Sequence, residues 1–127
     1  MRKKNLILSV LCLIFLATGI SATLNISLSD QGTGVMNKTN GSLLEYGNLT
    51  IEIWDDLTAG TLIHNETFID AIINGSWNVM LGENTSNKLQ FEYGKLYYKD
   101  YFINGEEASF KNLTGSMVDR QFFYSPL

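Results

Sequence analysis

Beyond position 22, hydrophobic residues recur mainly at every second position, and turn-forming residues interrupt them at short intervals. That pattern predicts strands rather than helices. In "NLTIEIW", residues 48–54, Leu49, Ile51 and Ile53 fall on one side. Asp55-Asp56 and Ala59-Gly60 then mark a turn, and "TLIHNETF", residues 61–68, reads as the next strand. In "AIINGSWNVMLGE", residues 71–83, Asn74-Gly75 fits a two-residue type I′ hairpin. Counting outward, Ile72 faces Trp77, Asp70 faces Val79, and Phe68 faces Leu81. Phe68, Ile72, Trp77, Val79 and Leu81 then share the face expected to be core, because Trp and Phe bury the most area. Asp70 is out of place on that face, and a bulge or a position at the sheet margin would resolve the conflict.

After Gly82 the polar loop "ENTSNK" leads into "LQFEYGKLYYKDYFI", residues 89–103, where alternation resumes and Gly94 marks a bulge or break. Asn104-Gly105 is a second turn, into "EEASF". Here the two faces compete. Tyr93, Lys95, Tyr97, Lys99 and Tyr101 lie on one; Leu96, Tyr98, Asp100 and Phe102 lie on the other. The second is expected to face the core. "SMVDRQFFYS" reads as the last strand.

No segment after residue 23 keeps a helical period over three turns. The expected fold is all-β: one antiparallel β-sandwich of about six to seven strands, Ig-like or transthyretin-like in general shape. It is expected to occupy residues 44–127, preceded by a polar, loosely ordered segment at 23–43 with a short strand at "LNISL".

Residues 1–22 are set apart. Met1-Arg2-Lys3-Lys4 is basic, Leu6 to Ile20 is apolar, and Ile20-Ser21-Ala22 offers small residues for cleavage. This is the form of a secretory signal peptide. The alternative is an anchor retained in the membrane, but the apolar run is shorter than the roughly 20 residues a span requires. The single cysteine, Cys12, lies inside this segment behind the bulky Leu11, which disfavours lipidation. Removal of the segment leaves no thiol for a disulfide, a metal or a nucleophile. Three of the nine Lys and Arg residues leave with it, so six stand against thirteen Asp and Glu, a net charge of −7. Nucleic acid and anionic lipid are poor partners for such a surface.

Asn-x-Ser/Thr triplets begin at Asn25, Asn37, Asn40, Asn48, Asn65, Asn74, Asn84 and Asn112, none with Pro in the middle. With 17 Ser and Thr among the 105 residues after position 22, about two of the eleven asparagines there would meet the pattern by chance. Turn preference enriches Asn, Ser and Thr singly but does not set them two apart. The excess points to an N-glycosylated exterior.

Three pieces, "GNLTIEIWDDLTAGTLIHNETF", "NGSWNVMLGE" and "DRQFFYSPL", give the chain a family resemblance over roughly residues 44–126. It resembles a small β-domain found after signal peptides in exported archaeal and bacterial proteins, and more distantly domains associated with tail fibres and adhesins. The resemblance implies a structural role at the cell surface. It supplies no catalytic residues, and it leaves open whether the chain stands alone or belongs to a longer surface protein.

Chemistry is sparse. His64 and Glu66 lie two apart on one strand face, as half a metal site or a base with its orienting acid, but His64 is the sole histidine. An exposed pair on an edge strand is the simpler expectation. There is no nucleophile elbow, no EF-hand loop and no phosphate-cradling glycine loop. Tyr93, Tyr97 and Tyr101, at every fourth strand position, would stand roughly 13 Å apart and could form an exposed binding face. The alternative is ordinary cross-strand packing of those rings. The expected function is therefore a secreted or cell-surface, N-glycosylated structural or adhesion domain, without enzymatic activity, metal or cofactor. The second expectation is a module that binds carbohydrate or another cell-surface protein through the tyrosine face.

Overall fold

The computed structural model describes residues 24–111 and 114–127. Over these the protein is all-β, with eleven short strands and no helix. They are β1 (Leu24–Ile26), β2 (Leu28–Gly32), β3 (Tyr46–Trp54), β4 (Leu62–Ile73), β5 (Trp77–Leu81), β6 (Leu89–Phe91), β7 (Leu96–Ile103), β8 (Glu106–Glu107), β9 (Phe110–Lys111), β10 (Met117–Val118) and β11 (Arg120–Tyr124). The first layer is a five-stranded antiparallel sheet in the order β11-β7-β3-β4, with β8 paired to β7. The pairs β2-β5 and β1-β6 lie across the core from it, and β9-β10 form a small ribbon.

Alternation in β3 builds the centre of the core. Leu49, Ile51 and Ile53 are wholly buried, while Asn48, Thr50, Glu52 and Trp54 point to the other side of the sheet. Ile72, Val79, Leu81, Leu89, Phe91, Tyr97 and Tyr101 complete the cluster from both layers. Each fully buried Leu or Ile contributes roughly 1.5–3 kcal/mol of transfer free energy. Phe91 joins the layers through Tyr97 and Phe123, at ring separations of 4.6 and 5.5 Å.

The Asn74-Gly75 turn forms as the sequence predicts. Both residues have positive φ, 50° and 76°, and Ile73 and Ser76 exchange backbone hydrogen bonds of 2.9 and 3.1 Å. The face assignment around it also holds, with Ile72, Val79 and Leu81 buried. Asp70 sits in a bulge: its φ is 51°, and the β3–β4 register jumps from Gly47↔Ile72 to Leu49↔Phe68. The extra residues turn Asp70 outward, and its amide donates to Asn48 Oδ1 at 2.9 Å.

The expected partners across that hairpin are not realised. β4 and β5 share only the Ile73↔Ser76 bridge. β5 crosses instead to the second layer and pairs with β2, setting Val79 opposite Asp30 and Leu81 opposite Leu28. The bulge at Asp70 turns β4 away, and β2 offers β5 a continuous ladder. This also corrects the expectation for residues 23–43. The short strand expected at "LNISL" is present as β1, but β2 follows it, so residues 24–32 supply two strands of the sandwich and are not a loose lead-in. Val35 and Leu44 then brace the turn: the Val35 amide donates to the Gly75 carbonyl at 3.0 Å, and the Gly75 amide to the Leu44 carbonyl at 2.7 Å.

Candidate functional site

The tyrosine face is an interior face. Tyr97 and Tyr101 are 2% and 5% exposed, whereas Tyr93 is 87% exposed on the connection before β7. The three do not form one exposed surface. Leu96, Tyr98, Asp100 and Phe102, expected to be core, lie on the outer side of the sheet instead. The physical reason is that a tyrosine can bury its ring if its hydroxyl finds a partner. Tyr97 Oη accepts the Glu92 amide at 2.9 Å, and Tyr101 Oη donates to Asp30 Oδ2 at 2.8 Å. Lys99, between them, is tolerated because Asp30 neutralises it.

Asp30 is the hub of this interior site. It projects from β2 and is 4% exposed. Its Oδ1 accepts Trp77 Nε1–H at 2.8 Å, and its Oδ2 accepts Lys99 Nζ at 2.7 Å in addition to Tyr101. The Trp77 and Tyr101 rings are 5.8 Å apart, and Lys99 Nζ lies 4.8 Å from the centre of the Phe123 ring. Burial, and then the adjacent Asp30 charge, raise the Tyr101 phenol far above its usual range, so it remains a donor. The arrangement links the two layers through one carboxylate whose two oxygens are each polarised by a protein donor. The alternating pattern of β7 hides it, because Asp30 lies 69 positions from Lys99.

The outer side of the five-stranded sheet carries a different cluster. Phe122, Tyr98 and Trp54 are successive cross-strand neighbours on β11, β7 and β3. Phe122 and Tyr124 are each 68% exposed. The Arg120 guanidinium stands 4.3 Å from the Trp54 ring, and its Nη1 donates to the carbonyls of Asp56 and Ala59 at 2.9 Å. Arg120 Nε lies 3.6 Å from Asp100 Oδ2. The other oxygen of Asp100 is buried without a hydrogen-bond partner. Burial and the nearby Glu107 carboxylate push the Asp100 carboxyl up to about 6, against the opposing pull of Arg120.

His64 and Glu66 occupy β4, an edge strand as expected, yet His64 is buried and Glu66 is only partly exposed. His64 Nε2 lies 2.9 Å from Glu66 Oε2, which also accepts the Gly82 amide at 3.0 Å. Both side chains face inward because His64 and Glu66 stand opposite Ile53 and Ile51. Glu66 thereby fastens the chain where it leaves β5. Among the described residues, no three His, Cys, Asp or Glu side chains converge as a metal site.

Of the glycosylation acceptors, Asn25, Asn40, Asn65, Asn74 and Asn84 are exposed, Asn37 and Asn48 are half-buried, and Asn112 lies outside the described residues. At Asn37, Asn40 and Asn84 the side-chain oxygen accepts the amide two residues on, at 2.9, 3.0 and 2.9 Å. These Asx turns leave Nδ2, the atom a glycan would join, out of the bond. Asn48 differs: it lies within β3, and its Oδ1 holds the Asp70 amide. A cleft of about 850 Å³ runs beside Asn37, floored by Trp77, Tyr101 and Phe110. No family model matches the chain, and neither does any curated protein or solved structure.

Proposed function

We propose that this chain is an exported, N-glycosylated β-sandwich with a structural or adhesive role at the cell surface and no catalytic activity. The single observation that carries this reading is the set of eight Asn-x-Ser/Thr triplets behind a leader of signal-peptide form. Support comes from the exposure of five of those asparagines and from the Asx turns at Asn37, Asn40 and Asn84. Glycans on these positions would add solubility and hinder edge-to-edge pairing of strands. Mass spectrometry of the native protein tests it. The expected result is a chain starting after Ala22 with hexose-bearing peptides that include Asn40 and Asn84. A cytosolic protein retaining Met1–Ala22 and bare asparagines throughout would overturn it.

A second reading, a carbohydrate-binding module, is favoured by one observation: the aromatic row on the outer side of the sheet, with Phe122 exposed beside the half-buried Tyr98 and Trp54. Such rings can stack on the apolar faces of sugars. A glycan array comparing the wild type with Phe122→Ala and Tyr98→Ala decides it. A signal lost in both variants supports the module; the absence of any ring-dependent signal excludes it.

A further inference from the structure

We propose that Lys99 and Asp30 condense into an isopeptide, an amide crosslink that joins the two layers of the sandwich and forms spontaneously once the protein has folded. The inference goes beyond the proposed surface role and requires neither export nor glycans.

Geometry comes first. Lys99 Nζ is 2.7 Å from Asp30 Oδ2, and the two side chains are 15% and 3% exposed. With a carboxylate C–O bond of about 1.25 Å, that contact holds the nitrogen within about 4 Å of Cγ, close to the separation of a near-attack pair. Both groups project from strands of opposite layers, so neither can swing away without disturbing its ladder. Fixed proximity of this kind turns a slow bimolecular condensation into an intramolecular one.

Aromatic side chains surround the pair: Trp77, Tyr101 and Phe123. Condensation needs one proton to pass from the ammonium to the carboxylate, and the two groups stand 2.7 Å apart along that path. Lysine suits the step because it can surrender that proton; an arginine in the same ion pair could not.

The polar contacts are divided between the oxygens as the reaction needs. Trp77 Nε1–H points at Oδ1, the oxygen that stays as the amide carbonyl, where it stabilises negative charge in the tetrahedral intermediate. Tyr101 Oη–H points at Oδ2, the oxygen that leaves. Because its phenol is held protonated, it can assist departure without becoming a competing base.

The balance is simple. A proton moves from Lys99 Nζ to Oδ2, giving a neutral amine and a carboxylic acid. The amine attacks Cγ and forms the C–N bond. A second proton passes from nitrogen to Oδ2, the Cγ–Oδ2 bond breaks, and water departs. One hydrogen remains on the amide nitrogen, and nothing is oxidised or reduced.

The structural consequence fits a chain whose single cysteine lies at position 12. Past that point no disulfide can form, and a crosslink between residues 30 and 99 would restrict the unfolded ensemble much as a disulfide over a long loop does.

The test is the intact mass of the folded full chain produced in a host that adds no glycans, followed by proteolysis. The expected result is a mass one water below that of the sequence and a branched peptide joining the segments around Asp30 and Lys99. Lys99→Arg keeps the charge pair but cannot form the amide, so its mass should be that of its sequence. Tyr101→Phe should slow the loss of water in a time course from freshly refolded protein. A folded wild type of full mass overturns the proposal. So does a water loss that persists in Lys99→Arg, since a cyclised aspartate would explain it. Should Lys99→Arg fail to fold, the branched peptide of the wild type decides alone, present or absent.

Discussion

The indole of Trp77 lies against the backbone of Gly32, its partner across the β2–β5 ladder, so closely that a methyl group on Gly32 would overlap the six-membered ring. Large side chains often cover a strand glycine in this way and make good its missing contacts. The ring has little room to yield, because its nitrogen is hydrogen-bonded to Asp30 at 2.8 Å. Gly32→Ala should therefore destabilise the fold by about 1–3 kcal/mol, the usual effect of overpacking. A urea titration of both proteins would read this as a lowered midpoint with an unchanged slope. An unaltered midpoint would show that the indole moves freely.

The register of β7 makes a sharp contrast between neighbouring aromatics. Tyr97 is buried, and Tyr97→Ala should cost about 3–5 kcal/mol, as removal of an interior aromatic ring does. Phe122 is 68% exposed, and Phe122→Ala should stay within about 0.5 kcal/mol of wild type. Equal effects in chemical denaturation would contradict the inward orientation of Tyr97.

Glu66 serves two donors at once, the imidazole of His64 and the amide of Gly82. Glu66→Ala leaves both without that acceptor in a largely buried place. Loss of about 1–3 kcal/mol is expected. Hydrogen exchange should locate the first effect at Gly82, whose amide should lose protection ahead of the β3 core. Retained protection at Gly82 would mean that its amide does not depend on the carboxylate.

Asp100 makes stability depend on pH in an unusual direction. Its carboxyl is raised from 3.8 to about 6 by burial and by Glu107. The folded state therefore holds the proton more tightly than the unfolded state. Its contribution is fully present below the unfolded value and is lost as pH rises through the folded one. Asp100→Asn, which stays neutral, should gain on the wild type by about 1–2 kcal/mol between pH 4 and pH 7.5. Unfolding midpoints at the two pH values measure the difference. A constant gap between the proteins would show that Asp100 ionises without strain.

Much of this architecture was legible along the chain, for identifiable reasons. Leu49, Ile51 and Ile53 alternate without interruption, so β3 and its buried side could be read directly. Asn74-Gly75 demanded positive φ at both positions, and the misplacement of Asp70 already implied the bulge. β7 was harder because both of its faces carry aromatic and charged residues. Choosing between them required knowing that Asp30 would arrive to neutralise Lys99, and no local pattern contains that information. The same long-range contact explains why the stretch after "LNISL" looked like a polar lead-in: Asp30 and Gly32 read as loop residues until Lys99 and Trp77 are placed beside them. His64 and Glu66 looked solvent-facing because each is polar, yet each satisfies the other inside.

The parting of β4 and β5 after one bridge bears on how the molecule assembles. β5 is completed not by its chain neighbour β4 but by β2, far earlier in the sequence; Trp77 and Asp30, which meet across that pairing, are 47 positions apart. Closing so long a stretch before any reward arrives slows folding, and strand topologies of this sort take milliseconds to seconds. A polypeptide that lingers as an open thread is suited to passage through a narrow translocation channel. On the exported reading, late assembly keeps it pliable until it emerges.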